Sequence, residues 1–237
     1  MLDVSAVNRE DLVAFYSETG APSLFHIWED GGTRGDSVTP STYSPKYRTW
    51  MANLISTELQ ENDGALLSLG CGNAAVEAEV MRRGYDVLAL DAVADAVDLA
   101  RAKGVNAVQA DICEWLPDQT WSVGYIDGVL GHLWDPIDGL IPILSRIRTW
   151  LAPESGSSSG VATLIASNDA PKDGTDVQEA PGVNGFHWLS TRLIAEQALA
   201  AGFTDVHRVE YIYSRPLSGK RSRAVVTCRF TTEHVHS

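Results

Sequence analysis

The feature that most constrains this chain is a unit that repeats from Ala65 onward: a short apolar run, a glycine-marked turn, then a stretch of helical period. ALLSLG (65–70), YDVLALD (85–91), NAVQAD (106–111), WSVGYIDGV (121–129) and VATLIAS (161–167) read as strands. Between and after them, AAVEAEVMRRG (74–84), ADAVDLARAKG (94–104), IDGLIPILSRIRTWL (137–151) and STRLIAEQALAAGF (190–203) read as helices. Strand and helix alternating at this spacing are joined by right-handed crossovers, which build a parallel sheet covered on both faces. Two further strands, VHRVEYIY (206–213) and RAVVTCRF (223–230), have only SRPLSGKRS between them. A hairpin must join them, so the last strand runs antiparallel. The expectation is an α/β fold: a doubly wound, seven-stranded, mostly parallel sheet with an antiparallel last strand. ESGSSSG (154–160) is a turn-length connection and no domain boundary.

Residues 1–45 read as an N-terminal helical and loop lid, set before a domain of residues 46–237. Glu10 to Ser17 suits a short helix, after which GAPSLFHIWEDGGTRGDSVTPSTYSP breaks every period. Phe25, Trp28, Tyr43 and Tyr47 are costly residues to leave in water, so this stretch is either a packing flap or a binding lid. KYRTWMANLISTEL (46–59) then places Tyr47, Met51, Leu54, Ile55 and Leu59 along one helical stripe.

Composition narrows the partners. With 18 basic and 31 acidic side chains the net charge is 18 − 31 = −13, which repels a phosphate backbone and speaks against nucleic acid. No apolar run reaches the roughly 20 residues of a membrane span, and MLDVSAVNREDLVAFY lacks the basic and apolar regions of a secretory signal. Cys71, Cys113 and Cys228 are odd in number and show no CxxC spacing. That predicts reduced thiols in a cytoplasmic protein, with no metal site. Whether the chain forms a homo-oligomer stays open.

The sharpest local signal is Leu69-Gly70-Cys71-Gly72-Asn73-Ala74-Ala75, at the carboxyl end of the first strand and the start of a helix. Gly70 and Gly72 permit a tight turn and close approach of a ligand, and the helix N-terminus behind them offers unpaired N–H groups. Asp91, nineteen residues after Gly72, ends the second strand where a carboxylate suits the hydroxyls of an adenosine ribose. Gly70-x-Gly72-x-x-Ala75 equally satisfies the dinucleotide-binding fingerprint. Context separates the two: about 45 residues of helix and loop precede the motif, Asp111 ends the third strand, and the fourth exits as Asp127-Gly128-Val129-Leu130-Gly131-His132.

LSLGCGNA, ALDAVADAVDLARAKG, VQADICEW, GYIDGVLGHLWDP and RTWLAPESG, in that order, resemble a class I S-adenosylmethionine-dependent methyltransferase of the small-molecule type. LIAEQALAAGFTDVHRV and the closing strand pair continue the likeness, which spans about residues 45 to 230. The resemblance implies S-adenosylmethionine as cofactor. Its methionine end would lie against Gly70, Cys71, Gly72, Asp127 and Gly128, and its adenosine over Asp91, Ala92, Asp111 and Ile112. The family's motif carries an acidic residue where this chain has Ser68, and often a third glycine where it has Ala74. Backbone carbonyls near Gly70, or Asp127, would then receive the methionine amino end. The implied activity is O- or N-methylation of a small molecule in specialised metabolism. Two alternatives share these motifs: intramolecular displacement on the aminobutyrate arm, and non-catalytic cofactor binding.

Methyl transfer from a sulfonium needs alignment and exclusion of water, and a base only where the nucleophile must lose a proton. His132, after the fourth strand, is the first candidate base; the alternative is a structural residue at a helix start. His187, in NGFHWLS, is the reserve candidate, or else a loop residue capping the next helix. Tyr16 could reach across the pocket or face the core. His26 reads as a packed flap histidine. The flap carboxylates Glu29, Asp30 and Asp36 would favour an amine, though solvation explains them equally. Arg215, Lys220, Arg221 and Arg223 read as a solvated hairpin tip or a contact for an acidic partner.

Overall fold

The chain is described from a computed structural model over residues 15–17, 22–62, 64–153, 160–183 and 185–231. Seven strands form one sheet: β1 (Leu66–Leu69), β2 (Val87–Asp91), β3 (Asn106–Gln109), β4 (Val123–Asp127), β5 (Val161–Asp169), and the long pair β8 (Asp205–Arg215) and β9 (Gly219–Thr231). Their order is β3-β2-β1-β4-β5-β9-β8. The first five run parallel, and β9 pairs antiparallel with both β5 and β8. This is the expected topology. The chain winds outward from β1 to β3 and then returns to lay β4 on the other side of β1. Loops leaving the two central strands therefore diverge and open a crevice at their carboxyl ends, where ligands bind in such sheets.

Helices cover both faces. On one, α3 (Pro45–Asn62), α4 (Ala75–Arg82) and α5 (Ala94–Ala102) pack on the sheet through Tyr47, Met51, Ile55, Val80 and Val97. On the other, α7 (Ile141–Thr149) and α8 (Thr191–Ala200) pack through Leu144, Ile147, Ile194 and Ala198. Gly84 and Gly104 follow α4 and α5 at φ +94° and +84°, the left-handed exit that stops a helix at little cost in glycine. All four residues of β1 are buried, as befits a central strand with a layer on each side.

The structure corrects the sequence reading in three places. The stretch after Gly20 contains two short helices, α1 (Leu24–Glu29) and α2 (Pro40–Tyr43). Leu24, Phe25, Trp28 and Val38 pack there on Val93 and Ala96, so the aromatic side chains supply order that the backbone pattern did not advertise. Of the helix expected at Glu10 to Ser17, residues 15–17 are helical and the rest lies outside the described residues. The loop after β5 holds a hairpin of β6 (Val177–Glu179) and β7 (His187–Leu189). Finally, SRPLSGKRS is mostly ladder: Arg215 pairs with Gly219, Ser214 with Lys220 and Tyr213 with Arg221.

Candidate active site

A cavity of about 500 Å³ occupies the crevice. Its floor is the β1–α4 turn. Gly70 sits at φ +78°, and a Cβ there would lie 2.3 Å from Val129 Cγ2, so glycine is required both by conformation and by packing. The Gly72 N–H donates to Asp91 Oδ2 (2.9 Å) and the Val93 N–H to Asp91 Oδ1 (3.0 Å), which ties the turn to the end of β2. Burial raises Asp91 to about 6, against the pull of those backbone donors. Ala74 takes up φ +52° and leads into α4 without a side-chain cap, and Ala75 and Glu77 of that helix line the cavity. Asp111, whose Oδ1 accepts from the Cys113 N–H (2.8 Å), follows β3 beside Ile112. All nine residues expected to hold the cofactor, Gly70, Cys71, Gly72, Asp91, Ala92, Asp111, Ile112, Asp127 and Gly128, line this one cavity.

The three residues expected at the methyl group line it too. Tyr16 Oη and His132 Nε2 lie 3.1 Å apart, a hydrogen bond across 116 residues of sequence. Tyr16 stacks on Phe25 (ring centroids 5.2 Å) and meets Trp28 edge-on, while His132 packs on Phe186 at 4.4 Å. His132 belongs to a short helix, α6 (Leu130–Leu133), whose Gly131 touches β7 so closely that a Cβ would come 2.2 Å from the His187 carbonyl oxygen. Buried Asn168 clamps the two: its Oδ1 accepts from Gly131 N–H (3.2 Å) and its Nδ2 donates to the His187 carbonyl (2.9 Å). Burial, helped by neighbouring His187, pulls His132 down to about 3. It is therefore a neutral hydrogen-bonding ring at neutral pH, where the sequence predicts an ordinary near-neutral histidine. Burial, helped by Asp91, likewise keeps the Tyr16 hydroxyl protonated. His187 does not open the following helix: it lies in β7, and Ser190 caps α8 by accepting from the Leu193 N–H (3.0 Å). The His187 ring faces Trp134 at 4.8 Å, and its buried Nδ1 has no hydrogen-bond partner among the described residues.

Other candidates fall elsewhere. His26 is exposed, bonded to Ser23 Oγ (2.7 Å), and outside the cavity. Glu29 is committed to Lys103 (2.6 Å) and Asn73 (3.1 Å). Asp36 accepts from the Leu217 and Ser218 amides, pinning the flap to the β8–β9 turn. Tyr47 lies in the core with its hydroxyl on Ser167. The basic cluster turns inward: Arg223 is fully buried between Asp127 and Asp169, Arg215 pairs with Asp169, and Arg221 lies 3.8 Å over the Trp188 ring. Two carboxylates forced into the interior beside β4 and β5 require these cations, which is why three of the four arginines and lysines of the cluster do not meet solvent as expected.

Sequence reasoning missed Glu77. It lies in the first turn of α4, lines the cavity, and accepts from Ser68 Oγ at 2.6 Å. Burial raises it to about 7. The available signal was Ser68 itself, a hydroxyl where the motif calls for an acid.

A glycine turn, a buried carboxylate at the end of β2, and a cavity with no Lys or Arg among its described lining sit together at the carboxyl ends of the central strands. Similarity to known proteins supplies the class. A family model described as a methyltransferase domain matches residues 67–154. The chain is 37% identical over 206 residues to a tabtoxin biosynthesis enzyme of Pseudomonas amygdali pv. tabaci, covering 86% of this chain and 79% of the relative. Among solved structures it resembles the DhpI–SAH complex (17% identity, TM-score 0.58, 92% of this chain and 95% of that one). It also resembles the Burkholderia thailandensis 1,6-didemethyltoxoflavin-N1-methyltransferase with bound 1,6-didemethyltoxoflavin and S-adenosylhomocysteine (21%, TM-score 0.55, 81% and 85%). The chain belongs to the class I S-adenosylmethionine-dependent methyltransferases of the small-molecule type. Its cofactor is S-adenosylmethionine. No helix among the described residues is long and apolar enough to cross a membrane.

Proposed function

We propose that the enzyme methylates a nitrogen of a small, uncharged or cationic molecule in specialised metabolism. The observation that carries the reading is the character of the cavity wall. Asp135 lines it together with Tyr16, Phe25, Trp28 and Trp134; Glu77, Asp91, Asp111 and Asp127 line the cofactor side, and no Lys or Arg lines either among the described residues. Such a wall favours cations through its carboxylate and aromatic faces, and penalises an anionic acceptor. Likeness to a tabtoxin biosynthesis enzyme supports a place in specialised metabolism, and likeness to a toxoflavin-pathway N1-methyltransferase supports nitrogen as acceptor.

When bound, S-adenosylmethionine supplies an electrophilic methyl group on a sulfonium. The chain's own residues do the rest by placement. Asp91 accepts the ribose hydroxyls, and Gly70, Cys71, Gly72, Asp127 and Gly128 bound the methionine arm, with Ala92, Asp111 and Ile112 around the adenine. Tyr16, hydrogen-bonded to the neutral ring of His132, offers its oxygen to an acceptor N–H and aims the acceptor's lone pair, with the flap excluding water. His187 contacts the far side of the acceptor through its unpartnered Nδ1. A base with so low an affinity for protons does not strip an ammonium group, so the acceptor binds as the free amine. The lid and the catalytic domain act as units in this reading: residues 1–45 close over the cofactor held by the rest. Three cysteines, an odd number with no CxxC spacing, suit a reducing, cytoplasmic setting.

The test is turnover with a panel of small amines, hydroxyl compounds and carboxylates, read by mass spectrometry. Amines gaining one methylene, with release of S-adenosylhomocysteine, are the expected products. Release of methylthioadenosine instead would establish displacement on the aminobutyrate arm, and cofactor binding without product would leave a binding protein.

A further inference from the structure

We propose that Glu77 receives the α-ammonium group of the cofactor, so that this chain carries on its first sheet-flanking helix after β1 the charge its family motif carries on the first strand. The proposal rests on the cofactor reading of the cavity and adds to it the residue that holds one end.

The acids of the floor are not equivalent. Asp127 is neutralised by Arg223 and takes a further hydrogen bond from Tyr125 Oη (2.9 Å). Both oxygens of Asp91 accept backbone N–H groups. Glu77 is different. It is 3% exposed, its Oε1 accepts from Ser68, and its Oε2 takes no hydrogen bond from any other described residue. No cation pairs with it among the described residues. A carboxylate withdrawn from water without a countercharge is costly, and its affinity for a proton rises accordingly. A ligand ammonium arriving on that carboxylate supplies the missing charge and the missing donors.

Ser68 explains why the acid stands on the helix. An acidic residue at that position of β1 would put a second carboxylate against Glu77, and like charges at hydrogen-bond distance do not both ionise. A serine hydroxyl donates instead, and at 2.6 Å it holds the Glu77 carboxylate beside the Gly70 turn. Of the two ends of the cofactor, only the aminobutyrate arm carries an ammonium. Glu77 thus identifies the arm's position without help from Asp127.

Calorimetry on the full chain with two probes tests this. S-adenosylhomocysteine carries the ammonium, and 5′-methylthioadenosine lacks the whole arm. Glu77→Gln, which keeps the size and an acceptor for Ser68, should weaken S-adenosylhomocysteine by about 10- to 100-fold and leave methylthioadenosine unchanged. Moving the acid back, in Ser68→Asp with Glu77→Gln, should recover most of that loss. Equal loss of both probes would make Glu77 a shaper of the turn and overturn the proposal, as would no loss of either. Should Glu77→Gln fail to fold, Glu77→Asp serves, since its shorter carboxylate should lower the preference for S-adenosylhomocysteine over methylthioadenosine. An unchanged preference overturns the proposal. Failure of the wild type to bind either probe would instead defeat the cofactor reading, a distinct outcome.

Discussion

The floor of the cavity and its far wall are built by opposite means. The floor is local: Gly72, Asp91 and Val93 meet through backbone N–H groups at two adjacent strand ends, with no bond spanning more than nineteen residues. The wall is assembled from a distance, by Tyr16 with His132 and by Asn168 with Gly131 and His187, and it is backed by Arg223, which pairs with Asp169 and reaches Asp127 on the floor side. A local floor recognises the part of the reaction that a whole family shares. A wall built from remote contacts can be rebuilt for a new acceptor without disturbing that floor. The difference predicts that polar groups of the floor act mainly on the ligand, whereas buried ion pairs of the wall act on the fold.

The largest effect should come from Arg223→Met. It leaves Asp127 buried with an uncompensated charge and Asp169 with Arg215 alone, and removal of one partner from such a network costs about 3–5 kcal/mol. Denaturant unfolding measures it, and a loss under about 1 kcal/mol would mean that the buried pairs are not what holds the hairpin to the wall. Next, His132→Ala should lower turnover at saturating cofactor by about 100-fold, the scale expected when an acceptor is misplaced, while cofactor affinity stays within a few-fold. A matching fall in cofactor affinity would erase the division between floor and wall. Asp91→Ala should do the reverse. It should cost cofactor binding about 1.5–3 kcal/mol by calorimetry, and unchanged affinity in a folded variant would remove Asp91 from the ribose.

The smallest effect sharpens the comparison within the floor. Glu77 titrates near 7 when folded and near 4.5 when unfolded, so the folded chain binds the extra proton between those values. Its contribution to ligand-free stability therefore declines as pH rises from about 4.5 to about 7, the direction that linkage requires for a raised carboxyl. Glu77→Gln abolishes the decline. The variant should melt about 2–4 °C above wild type at pH 8 and level with it at pH 5. Asp91, raised to about 6, declines in the same sense in both proteins, and His132, held near 3, loses stability as pH falls below about 6.5 in both. Those contributions cancel in the difference. A wild type that melts higher at pH 8 would show that Glu77 has a countercharge after all.

The same local–remote division governs what is legible in the sequence. Alternating apolar runs and helical stretches announce the sheet, its parallel strands and its antiparallel close, because those patterns repeat within one element. The nine floor residues are legible for the same reason. His132, Tyr16 and His187 are recognisable as candidates, but nothing in the sequence announces that a tyrosine hydroxyl 116 residues away meets His132, or that burial disarms the ring as a base. Strands β6 and β7, three residues each, are too short to show an alternation. Arg223 escapes the sequence because a run of basic residues reads as one solvated unit. Its spacing of two from Arg221 and Val225 is the sign that it faces inward with a core valine. Glu77 escapes because its partner, Ser68, lies nine residues back on another element.

In the proposed function a floor holds the cofactor and a wall receives the acceptor within one cavity, so the sulfur of the cofactor lies where they meet. A crystal structure of the S-adenosylhomocysteine complex tests this most directly. The ribose hydroxyls should bond to Asp91, the aminobutyrate arm should run beneath Gly70 to Glu77, and the sulfur should face Tyr16 and His132 across room for one acceptor group. A sulfur turned away from that pair, or an adenosine seated off Asp91, would contradict the division of the cavity into a cofactor floor and an acceptor wall.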